Sequence, residues 1–129
     1  MSLLRTRSAA ALRDLRSFST TATARKQILD ASPADFETYA IKGSRPTIVD
    51  FYADWCGPCR FLGPVLEKVV DEQSVLKIDT GKHQELAMEH KISALPTVLA
   101  FKNGKVVAKM VGAQPEAGVR DFLAKAKSA

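Results

Sequence analysis

The stretch Thr47-Ile48-Val49-Asp50-Phe51-Tyr52-Ala53-Asp54-Trp55-Cys56-Gly57-Pro58-Cys59-Arg60 decides how the rest of the chain is read. Its first seven residues are almost continuously apolar and β-prone, as expected of a strand buried on both faces. A helix follows from about Cys59 to Asp71, with Leu62, Val65, Leu66 and Val69 as its apolar stripe and Pro64 as a kink. Pro58 stands at the first helical position, where its missing N–H costs nothing. Reaction sites in open α/β sheets form at the carboxyl ends of strands, so the two cysteines lie where chemistry is expected.

Residues three apart at a helix start have Cβ atoms about 5–6 Å apart, within relaxation distance of a disulfide. The N–H groups and dipole of the helix end point toward Cys56 and favour its thiolate. An ordinary thiol of pKa about 8.5 is only ~3% ionised at pH 7, and lowering it to about 7 makes it ~50% ionised. Cys56 therefore reads as the nucleophile and Cys59, farther into the helix, as the resolving thiol. Three blander readings compete: two buried cysteines packing as small hydrophobes, a static disulfide across a small loop, and a zinc site. Zinc needs two more ligands, and the candidates, His83 and His90, lie seven apart on or near a surface helix where both are expected to be solvated.

Asp50 stands in the middle of the buried strand, where an unpaired carboxylate is costly and its pKa should rise. It is either tied up in local hydrogen bonds or a proton acceptor for the buried thiol, acting through water. Lys77, in the neighbouring strand run, is its natural charge partner; the alternative is an edge lysine facing solvent.

Working outward, Gln27-Ile28-Leu29 reads as a short first strand. Ser32-Pro33-Ala34-Asp35 has the N-cap, proline and first-turn acid of a helix start. That helix carries Phe36, Tyr39 and Ala40 on one face and stops at Gly43. Val75 to Ile78 reads as a buried strand and Gln84 to Lys91 as a short helix. Thr97 to Phe101 and Val106 to Val111 are strands joined around Asn103-Gly104, a strong hairpin signal. Pro115-Glu116 opens a last helix bearing Val119, Phe122 and Leu123. The order β-α-β-α-β-α-β-β-α predicts an α/β fold, a central mixed β-sheet with helices on both faces.

The chain has 129 residues, 46% hydrophobic and 26% charged, enough for one domain with its own core. Its apolar runs stop far short of the ~20 residues of a membrane-spanning helix, and two cysteines exclude a disulfide-stapled scaffold. The net charge of +5 first suggests a nucleic-acid or anionic-membrane partner. Its distribution argues otherwise. Residues 1–25 hold Arg5, Arg7, Arg13, Arg16 and Arg25 against Asp14 alone, whereas residues 26–129 hold 14 basic and 13 acidic side chains. The first segment is Arg-rich, Ser-rich and amphipathic, with Leu4, Ala11, Leu12 and Leu15 on one side, the composition of an organellar transit peptide. Arg16-Ser17-Phe18-Ser19-Thr20-Thr21 resembles a mitochondrial two-step processing site with the cut after Arg25. The expected organisation is a mitochondrial transit peptide over 1–25 and one domain over 26–129, with neither nucleic acid nor membrane as partner.

Within 26–129 the residues resemble the thioredoxin family. The likeness rests on Val49 to Arg60, on Pro64, on Leu95-Pro96-Thr97, on Phe101-Lys102-Asn103-Gly104 and on Val111-Gly112-Ala113. It implies the thioredoxin fold and a protein-disulfide reductase in which Cys56 attacks a substrate disulfide, Cys59 resolves the mixed disulfide and Asp50 handles the Cys59 proton. Gly57, Pro58 and Lys77 tune the redox pair. A cis Leu95–Pro96 bond faces the site, and the substrate platform comprises Trp55, Gly57, Pro58, Leu95, Pro96, Gly112 and Ala113. The resemblance further implies a monomer in the mitochondrial matrix with no cofactor beyond the redox-active Cys56–Cys59 disulfide. Its partners would be an NADPH-dependent thioredoxin reductase and disulfide-containing proteins such as peroxiredoxins or methionine sulfoxide reductases. Tyr52 stands where many members carry Trp, Leu95 where Ile or Met is usual, and Arg60 where Lys is common. The segment from Pro64 to Gly81 is roughly four residues short, about one helical turn, which predicts either a shortened helix or a frustrated sheet. The competing function is a redox-fold binding or assembly module whose cysteines are incidental.

Overall fold

The computed structural model describes residues 26–129, so the leader expected over 1–25 lies outside the described residues. Five apolar runs pair into one sheet: β1 (Gln27–Ile28), β2 (Thr47–Tyr52), β3 (Ser74–Asp79), β4 (Thr97–Lys102) and β5 (Lys105–Val111), in the order β1-β3-β2-β4-β5. β3 runs parallel to β1 and β2, while β4 is antiparallel to both β2 and β5. The central position of β2 explains its nearly continuous apolar run. Strand neighbours and helices leave it no wet face.

Side chains alternate across β2, and the two faces build separate halves of the core. Ile48, with Val75, Val98, Ala100 and Met110, packs under α2 (Gly57–Val69) and α4 (Glu116–Ser128), which contribute Leu62, Leu66, Val119 and Phe122 among others. Val49 and Phe51, with Leu76, Ile78, Leu99 and Phe101, pack under Phe36 at the end of α1 (Pro33–Phe36), Ala40 just beyond it and Leu86 of α3 (Gln84–Glu89). The helix α1 begins with a reciprocal cap, Ser32 Oγ accepting from Asp35 N and an Asp35 oxygen accepting from Ser32 N, and continues as a π-helical segment, Glu37–Ile41. The β4–β5 hairpin turns through Asn103 (φ 53°) and Gly104 (φ 79°), the two left-handed residues this tight turn requires. A side chain on Gly104 would also meet the Ile41 carbonyl oxygen at 2.8 Å.

The element order agrees with the sequence reading, with two corrections. The second helix starts at Gly57 rather than Cys59, because Cys56 itself caps it, and it ends at Val69 rather than Asp71. Neither histidine is fully solvated: His83 and His90 are both half-buried, and the His90 ring sits 5.1 Å from Phe36, 5.8 Å from Phe101 and 6.2 Å from Phe51, drawn inward as the chain turns at the end of α3. The short Pro64–Gly81 segment leaves the sheet unfrustrated. All six residues of β2 pair in continuous register with β3, from Thr47 with Ser74 to Tyr52 with Asp79. α2 ends at Val69, and the backbone is extended at Val70. Among the described residues no helix is long and apolar enough to cross a membrane.

Candidate active site

β2 delivers the chain to Ala53, which is buried, and Cys56 N then donates to Ala53 O at 3.1 Å. Cys56 has the extended backbone of an N-cap residue (φ −86°, ψ 107°), and its Sγ accepts from Cys59 N at 3.2 Å. A sulfur thus occupies the place a hydroxyl or carboxylate usually takes. The first turn of α2 contains no acid. The partial positive charge of that helix end is therefore left for the Cys56 sulfur. Cys56 and Cys59 are joined as a disulfide with Cα atoms 5.4 Å apart, and each residue is only 4% exposed.

Around the disulfide, Ala53, Cys56 and Cys59 form a small apolar cluster against which Tyr52 and Leu95 pack. The Leu95–Pro96 peptide is cis. Its loop is held by Thr97 Oγ1 donating to Ala94 O at 2.6 Å and by Gly112 N donating to Pro96 O at 2.8 Å. Gly112 has φ 89° with open space where a Cβ would stand, so backbone conformation rather than crowding calls for glycine there. Leu95 is thereby placed against the cysteines and Pro96 is tied to Gly112, while Ala113 follows on the surface. Trp55 is 80% exposed, and Gly57 and Pro58 are exposed beside it. An apolar indole left in water beside a disulfide offers contact area to an incoming partner.

Asp50 is fully buried, on the α2 side of the sheet, and neither carboxyl oxygen has a hydrogen-bond partner. Burial pushes its pKa up from 3.8 to about 6, with the positive charge of Lys77 pulling part of the way back. Lys77 is the cross-strand partner of Asp50 on β3. No ion pair among the described residues joins the two; the Lys77 ammonium instead lies 4.7 Å from the centroid of the Tyr52 ring. Lys77 is neither a buried ion-pair partner nor a fully solvated edge lysine. Together with Tyr52, Ala53, Asp54, Cys59 and Arg60 it lines an open cleft of about 320 Å³.

Two residues of this region escaped the sequence reading. Phe61 is 75% exposed, one turn along α2 from Gly57 and Pro58; its signal was helical spacing with those two residues. Tyr52 was noted only as a replacement, and its contact with Lys77 depends on strand register. Among the described residues no group of three or more His, Cys, Asp or Glu side chains could hold a metal ion.

The family model described as thioredoxin matches residues 27–125. The chain belongs to the thioredoxin family. The mitochondrial thioredoxin of Bos taurus is 48% identical over 95 residues, covering 70% of this chain and 57% of the relative. A chloroplastic thioredoxin of Oryza sativa subsp. japonica is 43% identical over 98 residues, covering 73% and 58%. Among solved structures, the thioredoxin of Malassezia sympodialis superposes with a TM-score of 0.68 at 30% identity, over 80% of this chain and 92% of that one. The chain spans a little under three fifths of the length of the organellar relatives it matches. This member keeps the thioredoxin fold with its disulfide at the start of α2.

Proposed function

We propose that this chain is a protein-disulfide reductase of the mitochondrial matrix, working as the domain 26–129 after residues 1–25 are removed on import. The observation that carries the activity is the Cys56–Cys59 disulfide across the first turn of a helix placed at the carboxyl end of the central strand. In the reduced protein the Cys56 thiolate attacks one sulfur of a substrate disulfide. A Cys56–substrate disulfide forms and the second substrate sulfur leaves as a thiolate. The Cys59 thiol then loses its proton to Asp50 and attacks the Cys56 sulfur, which closes the Cys56–Cys59 disulfide and releases the first substrate sulfur. Two electrons pass to the substrate, and two protons complete its thiols. With a pKa of about 6, Asp50 is ionised in roughly nine of ten molecules at pH 7 and able to accept that proton.

Trp55, Gly57, Pro58, Leu95, Pro96, Gly112 and Ala113 form the platform for the substrate backbone, and Lys77 tunes the proton acceptor. An NADPH-dependent thioredoxin reductase returns two electrons to the disulfide. The substrates are disulfide-containing proteins of the class of peroxiredoxins and methionine sulfoxide reductases. Support for the compartment comes from the Arg-rich, acid-poor first 25 residues and from relatives with mitochondrial names. The test is insulin reduction coupled to NADPH and a mitochondrial thioredoxin reductase. NADPH should be consumed with the native chain and not with Cys56→Ser; equal traces for the two would leave the binding-module reading instead.

A further inference from the structure

The unpaired state of Asp50 is the feature the fold leaves unexplained. A lysine stands in register beside a buried carboxylate on the adjacent strand, with the two on the same face of the sheet. Closing that pair would relieve a carboxylate that has no hydrogen bond. Instead the Lys77 ammonium lies over the Tyr52 ring. Tyr52 is two residues along β2 from Asp50, so both project toward α2, one above the other, with Lys77 between strand and helix. On the helix side the same ammonium lies 3.5 Å from where a Cβ on Gly63 would stand, ordinary contact distance.

We propose that Tyr52 is a positioning residue: its ring holds the Lys77 ammonium at the wall of the cleft and out of an ion pair with Asp50, so that the carboxylate stays free to take the Cys59 proton. The catalytic clause rests on the reductase reading above. A cation over an aromatic face is attracted by the negative face of the ring, so the ring can compete for the lysine. A closed pair would leave Asp50 a much weaker base, since an opposite charge within contact lowers a carboxyl pKa by roughly 1–3 units.

The other ionisable groups around this site are accounted for. Asp79 follows Lys77 on β3, Asp54 and Arg60 line the cleft, and Cys59 is held in the disulfide. Asp30 and Lys82 lie farther out and pair with each other at 3.3 Å. The cross-strand neighbour of Asp50 on β4 is Val98, and the α4 side chains buried in this half of the core, Val119, Phe122, Leu123 and Ala126, are apolar.

The experiment is a ¹³C-NMR titration of the Asp50 carboxyl in the oxidised full-length chain. Tyr52→Leu should lower the Asp50 midpoint by about one pH unit as Lys77 closes onto it. Tyr52→Phe, which keeps the ring, should leave it at the native value. In a Lys77→Met background the Tyr52→Leu shift should vanish. An unchanged or raised midpoint in Tyr52→Leu would overturn the proposal, as would a shift that survives Lys77→Met. Should Tyr52→Leu fail to fold, the native protein still decides: the Lys77 Cε protons should show an upfield ring-current shift that Lys77 in an unfolded control lacks, and its absence would overturn the proposal. The reductase reading is judged separately. If Asp50→Asn reduces insulin at the native rate, Asp50 is not the proton acceptor, whatever the titration says of Tyr52 and Lys77.

Discussion

The starts of α1 and α2 solve the same problem in opposite ways. Both leave backbone N–H groups without helical partners. At α1, Ser32 and Asp35 satisfy each other's backbone reciprocally, and the acid opposes the helix dipole. At α2 the cap is the sulfur of Cys56, and no acid stands in the first turn. A sulfur is a weak acceptor, so α2 is the less well capped helix. What it gives up in stability it keeps as field: the positive end of the helix acts on the Cys56 sulfur rather than on a structural carboxylate.

The sharpest way to break this contrast is to remove each cap in turn. Cys56→Ser supplies a better capping oxygen but no redox sulfur, so insulin reduction should fall to background while the urea midpoint of the reduced protein holds or rises. The matching change Ser32→Ala should do the reverse. It should cost about 1 kcal/mol of stability, read from urea unfolding, and leave the reduction rate unchanged.

Between these in size lies Asp50, whose burial without a hydrogen-bond partner penalises folding. Its folded pKa of about 6 exceeds the unfolded 3.8, so the native state binds the extra proton between those values. Stability should therefore fall as pH rises from about 4 to about 6, by about 3 kcal/mol in all, and remain lowered at pH 7. Asp50→Asn should flatten that slope and unfold at higher urea at pH 7, while slowing turnover with substrate binding retained. A pH slope equal to the native one would remove the burial argument, and an unchanged pH–rate profile would remove the proton-transfer role.

Two smaller effects sharpen the contrast further. Pro58→Asp places an acid in the first turn of α2, as Asp35 does in α1. It should raise the pH at which the Cys56 thiolate absorbs at 240 nm and slow the attack on insulin. Gly63→Ala tests the helix itself. The new Cβ would meet Lys77 Nζ at 3.5 Å, ordinary contact distance, so the gain of about 0.5–1 kcal/mol from helix propensity should appear in the urea midpoint.

Much of this was legible beforehand because it depends on local chemistry. The apolar run into Trp55-Cys56-Gly57-Pro58-Cys59 located strand, turn and helix start, and Asn103-Gly104 located the hairpin, since each rests on backbone preferences that act within a few residues. His90 was misread for the opposite reason. Its neighbours in sequence are Glu89 and Lys91, but its neighbours in space are Phe36, Phe51 and Phe101, brought together from α1, β2 and β4. Whether the Pro64–Gly81 segment would frustrate the sheet could not be read locally, because it depended on strand pairing; the six residues of β2 and β3 pair in continuous register.

The sequence by itself determined the order of the elements, the cysteine pair at a helix start and the buried place of Asp50, because hydrophobic period, capping chemistry and proline geometry are written locally. Only the tertiary structure decided where Lys77 puts its charge. Strand register sets Lys77 beside Asp50, but the balance between a carboxylate, an aromatic face and the contact beside Gly63 exists only once β2, β3 and α2 are packed together.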